Sequence, residues 1–158
     1  MYNSRAEADP ALPPTSEALD RNQVFHGFAF ADWNVFIVVG LRDDIITHEA
    51  SHIFLDNIVS RPSVTLPAWL NEGFASYMES DRISDRKFDL SRKYDRSLAS
   101  MNSVSGTAES LHYLYKKSES IVSFLFRVYG NRPFQILVAS LNDGLELDSA
   151  LVKAYGLD

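Results

Sequence analysis

The segment His48-Glu49-Ala50-Ser51-His52 constrains this chain more than any other. Residues four apart on a helix lie one above the other on the same face, so both imidazoles can aim a ring nitrogen at one point. Glu49 then sits beside that point without occupying it. Two neutral nitrogen donors and an adjacent carboxylate are what a metal-assisted hydrolytic site requires: ligands, an open position for water, and a base within reach of that water. The flanking residues favour a helix. Asp43 and Asp44 offer an N-cap and an acidic first turn. Ile45, Ile46, Ala50, Ile53, Leu55 and Ile58 recur at helical spacing, and no Pro or Gly interrupts residues 43–58.

A catalytic zinc usually takes three protein ligands, and the best third candidate is Glu72. It lies in Leu66-Pro67-Ala68-Trp69-Leu70-Asn71-Glu72-Gly73-Phe74-Ala75-Ser76-Tyr77-Met78-Glu79. Pro67 suits the first turn of a second helix and Thr65 is available to cap it. The intervening Val59-Ser60-Arg61-Pro62-Ser63-Val64 is short enough to fold that helix back beside the first. Glu72 would then meet His48 and His52 across a helix–helix contact. Glu79, seven residues on, returns to the same side as Glu72.

The pairing of HEASH with WLNEGFASYME resembles the gluzincin metallopeptidases, most closely the peptidase-MA-like domains related to the zinc aminopeptidases. The resemblance implies that Glu72 completes a site for one Zn²⁺ with His48 and His52. Glu72 stands twenty positions after His52, one more than the aminopeptidase spacing, and a longer loop absorbs the difference. The segment from Tyr115 to Tyr129-Gly130 is similar to the one that supplies the family's catalytic tyrosine, which implies Tyr115 as the oxyanion donor. His112 and Tyr113 are its neighbours and rivals; at about 100° per residue only one of the three can face the metal directly. The similarity covers about residues 25 to 156. It implies an α+β fold, a mostly helical zincin-like domain with a small N-terminal antiparallel β-sheet packed on the zinc-binding helix.

At 158 residues, 46% hydrophobic and 23% charged, the chain has the size and composition of one globular domain. We expect a flexible tail or linker over 1–22, which holds Pro10, Pro13 and Pro14 and could serve as a pro-segment, and a single domain over 23–158. A net charge of −6 argues against nucleic acid as a partner. No apolar run approaches a membrane span and no secretory signal is present, so a complete chain of this sequence would be cytoplasmic. The absence of cysteine excludes disulfides and thiolate ligands. Oligomeric state is not legible.

Residues 24–39 read as two strands turning near Asp32, rich in β-branched and aromatic residues. The strand nearer the cleft could pair with an extended substrate, or simply cover the zinc helix. His26 reads as a strand-surface residue. Phe88, Leu90, Tyr94 and Leu98 could line a helix face within the charge-rich 80–108 stretch, and Ser100–Thr107 reads as a loop. Three further helices are expected: 109–129 stopped by Gly130, one opened by Pro133 and ending at Asn142-Asp143-Gly144, and about 147–155 stopped by Gly156.

The implied chemistry is peptide-bond hydrolysis by a zinc-activated water with Glu49 as general base. Glu79 and Asp56 are candidates to orient the ligand histidines; Asn71 either binds substrate or caps a neighbour. Trp69 and Tyr77 read as packing residues. Gly27-Phe28-Ala29-Phe30-Ala31 lacks the carboxylate with which aminopeptidases hold a free amine, which favours an endopeptidase acting on peptide or protein. Two other readings share these residues: a catalytically silent zinc-binding scaffold that holds a partner segment, and a hydrolase of non-peptide amides or esters.

Overall fold

The computed structural model describes residues 1–11, 27–59, 64–79, 97–104 and 107–157. The expectations for His26, Phe88, Leu90 and Tyr94 fall outside these residues. The described elements are α1 (Arg5–Ala8), β1 (Gly27–Phe30), β2 (Val35–Val38), α2 (Asp43–Ile58), α3 (Ala68–Glu79), α4 (Ala108–Tyr129), α5 (Asn131–Asn142) and α6 (Leu147–Tyr155). This is the mostly helical α+β architecture that the sequence implied, with the small sheet near the N-terminus.

β1 and β2 pair antiparallel, with Gly27 opposite Val38 and Phe30 opposite Val35. The chain turns through a 3-10 segment, Ala31–Trp33, and leaves it at Asn34, whose φ of 50° is left-handed. Asparagine adopts that region more readily than most residues, and its N–H closes the turn on the Ala31 carbonyl at 2.9 Å. Both strands pack on α2. On the far side of β2, the Tyr2 N–H donates to the Val38 carbonyl at 3.0 Å and the Gly40 N–H to the Tyr2 carbonyl at 2.9 Å. Within the expected tail, then, Tyr2 bridges to the end of β2, and Ala8 is fully buried.

α2 has the expected bounds but a different cap. Arg42 is the N-cap, without a side-chain cap bond, and Asp43 and Asp44 lie inside the first turn. There the carboxylates favour the positive end of the helix dipole instead of capping it, and Asp44 accepts from the Ile45 N–H at 3.0 Å. Ile58 is exposed, and Val59, just beyond the helix, enters the core in its place.

α3 begins at Ala68, two residues later than a Thr65 cap implies. The Pro67 carbonyl accepts from the Asn71 N–H at 3.1 Å, so proline holds the cap position and Thr65 lies outside the helix. Trp69 and Leu70 are fully buried and Phe74 nearly so, in a core shared with Leu114 and Val122 of α4 and Leu137 of α5. Phe74, Phe126 and Phe134 pack ring to ring, and Tyr77 stacks on Phe126 with centroids 4.7 Å apart. Trp69 and Tyr77 are thus packing residues. α3 and α4 approach closely at Gly73, where an added Cβ would lie 2.5 Å from the Ser118 carbonyl oxygen.

α4 is capped by Thr107, whose side chain accepts from the Ser110 N–H, and closed by Gly130 at φ 77°. α5 and α6 complete the bundle, pack on each other and end where expected. Leu98 belongs to a 3-10 turn, Leu98–Met101, that inserts Met101 into the core. No described helix is long and apolar enough to cross a membrane.

Candidate metal centre

α2 and α3 lie side by side, which brings residues twenty apart in sequence to one point. The Nε2 atoms of His48 and His52 each lie 3.5 Å from the same oxygen of Glu72, Oε2. One ligand atom from each of the three falls within 4.8 Å of the others. A tetrahedral zinc with bonds of about 2.0–2.1 Å spaces its ligand atoms about 3.4 Å apart, so this set fits such an ion.

The second nitrogen of each ring is engaged. Nδ1 of His48 lies 3.1 Å from Glu79 Oε2, and Nδ1 of His52 lies 2.9 Å from Asn71 Oδ1. With the proton on Nδ1, each ring presents its Nε2 lone pair to the space shared with Glu72 Oε2, where an ion would sit. The two rings stand nearly perpendicular, centroids 4.9 Å apart. Glu79 makes the contact to His48 that the orienting role considered for it requires. Asp56 does not: it is exposed, and the His52 ring leans across to α3 instead of along its own helix. Asn71 is the orienting residue that sequence reasoning left open between substrate and neighbour; its only signal was adjacency to Glu72.

Glu49 is buried beside the trio, with 7% of its surface exposed. Burial, opposed by the His48 charge and reinforced by Glu72 and Glu79, pushes its carboxyl up to about 7. Burial also opposes protonation of His48, but the carboxylates of Glu72 and Glu79, with Glu49 behind them, outweigh it. They push the imidazole up to about 10. The centre is therefore a pocket of negative potential that holds a proton when no metal is bound.

Of the three candidates on α4, Tyr115 turns toward the site. Its ring centroid is 6.4 Å from that of His48. Burial first, then Glu72 and Glu49, raises its pKa, so the phenol stays a hydrogen-bond donor. His112 is exposed, and Tyr113 is buried with Lys117 Nζ 5.8 Å from its ring centre.

No curated protein and no solved structure matches the chain. A family model described as Peptidase MA superfamily matches residues 17–158. That match spans both the histidine helix and the glutamate helix, whose side chains converge as a metallopeptidase site demands: the chain belongs to the Peptidase MA superfamily.

Proposed function

We propose that the protein is a zinc-dependent endopeptidase of gluzincin type, with residues 23–158 as its catalytic domain. The observation that carries the reading is the shared 3.5 Å approach of His48 and His52 to one oxygen of Glu72. His48, His52 and Glu72 are the proposed ligands. A zinc ion there would polarise the scissile carbonyl and lower the pKa of water from about 15.7 to near 7.

The remaining work belongs to the chain's own groups. Glu49, buried beside the three proposed ligands, accepts a proton from the attacking water and returns it to the leaving amine. Tyr115 donates its phenolic proton in a hydrogen bond to the oxyanion that develops on the substrate. Glu79 and Asn71 keep the ligand rings in register. Because Tyr2 lies along β2, the outer edge of β1 is the one left unpaired among the described residues. An extended peptide can add to that edge through backbone hydrogen bonds, a mode tolerant of side-chain sequence. The strand offers no carboxylate to capture a free amine, which favours internal over terminal cleavage.

Elemental analysis of the purified protein, with digestion of a peptide library in the presence and absence of chelator, tests the reading. One zinc per chain and chelator-sensitive internal cleavage are expected. Zinc without cleavage would make the domain a silent scaffold, and chelator-insensitive cleavage would remove the metal from the mechanism.

A further inference from the structure

β1 meets α2 at a residue with no side chain. A Cβ placed on Gly27 would lie 2.4 Å from Oε1, 2.6 Å from Cγ and 2.8 Å from Cδ of Glu49. Carbon atoms in contact normally stand about 3.5–4.0 Å apart, so the end of the Glu49 side chain fills the volume that any larger residue would need. Backbone conformation does not explain the glycine. Gly27 is not among the positive-φ glycines, and it sits in regular antiparallel register with Val38. In such a strand glycine is a net cost, through lost chain entropy and absent packing. What it supplies is space.

Glu49 cannot yield to a Cβ by swinging into solvent, because it is buried. Any displacement would be a change of rotamer inside the site, beside His48 and Glu72. α2 fixes where the Glu49 backbone lies, and β1 limits where its carboxylate can go.

We propose that Gly27 is a positioning residue: its bare Cα forms the seat that holds the Glu49 carboxylate against the backbone of β1. This rests on the reading of Glu49 as the proton acceptor. It makes β1 common to two alignments, since the strand that would pair with the substrate backbone also places the base.

The test is a double-mutant cycle on thermal unfolding, using Gly27→Ala, Glu49→Ala and the pair, together with kinetics of Gly27→Ala. Overpacking at the seat should lower Tm by about 3–10 °C when Glu49 is present. With Glu49→Ala the same change should cost nothing or raise Tm, because the obstructing atoms are gone. Equal losses in both backgrounds would overturn the proposal. Should Gly27→Ala fail to accumulate, the double variant must still fold, and its failure to do so would also overturn it. For Gly27→Ala, kcat should fall about 100-fold with KM and zinc content kept, as expected for a misplaced base and not for a general loss of structure. An unchanged kcat would refute the positioning role. Should the wild-type protein cleave no peptide, the peptidase reading fails by itself, and the unfolding cycle still decides whether the seat exists.

Discussion

Asn71 and Glu72 are neighbours on α3, yet they meet the same histidine from two sides: Asn71 Oδ1 lies 2.9 Å from His52 Nδ1 and Glu72 Oε2 lies 3.5 Å from His52 Nε2. One turn of helix thus carries both a candidate ligand and a group placed to orient a second candidate ligand. His48 is held in the same way by Glu72 and Glu79, seven residues apart on that helix. α3 therefore works as a template for both rings of α2.

Removing an orienting group should weaken the metal without abolishing the fold. Asn71→Ala and Glu79→Gln are each expected to lower zinc affinity by about 10–100-fold. Competition titration against a chromophoric chelator reads this directly. Affinity equal to that of the wild type in both variants would show that the rings need no such support.

Tyr115→Phe should lower kcat by about 10²–10³-fold and leave zinc content unchanged, because it deletes one donor to the developing oxyanion. KM should move little, since the ground-state carbonyl gains less from that donor than the transition state does. Steady-state kinetics on a cleaved peptide, with Tyr113→Phe as a control, checks the choice among the three α4 side chains.

The metal-free protein should lose stability as pH rises. Glu49 titrates at 4.5 unfolded and at about 7 folded, so between these values the folded state binds more protons and stability falls with pH. His48 contributes in the same direction: its stabilisation is fully present below about 6.5 and is lost as pH rises through about 10. Glu49→Gln should flatten the lower window and narrow the upper one slightly, because Glu49 is the smallest of the charges that hold the proton on His48. Denaturant unfolding across pH 4.5–10, with and without zinc, measures both. Zinc should suppress the upper slope, because a bound ion takes the place of the proton on His48.

Gly73→Ala should destabilise the fold by about 1–3 kcal/mol. The new Cβ would meet the Ser118 backbone at 2.5 Å and Val122 Cγ2 at 2.8 Å, and a backbone carbonyl within α4 cannot move aside cheaply. Chemical denaturation gives the value. Zinc affinity should fall along with stability if separating α3 from α4 also shifts Glu72.

The sequence by itself determined the local framework. The four-residue step from His48 to His52 placed two rings on one face, Gly130 and Gly156 ended their helices, and the two strands turned near Asp32. These features depend on the rise and twist of a single segment, which a window of a few residues records. Tertiary structure alone decided which groups face one another across elements. Asn71 rather than Asp56 meets His52, the Glu49 carboxylate fills the space over Gly27, and Ala8 of the N-terminal segment is buried. Helical period says which face a residue occupies, but the offset between two packed helices, or between a strand and a helix, is set by side-chain volumes along the whole contact. That offset is a non-local quantity, and it is what turned two separate motifs into one centre.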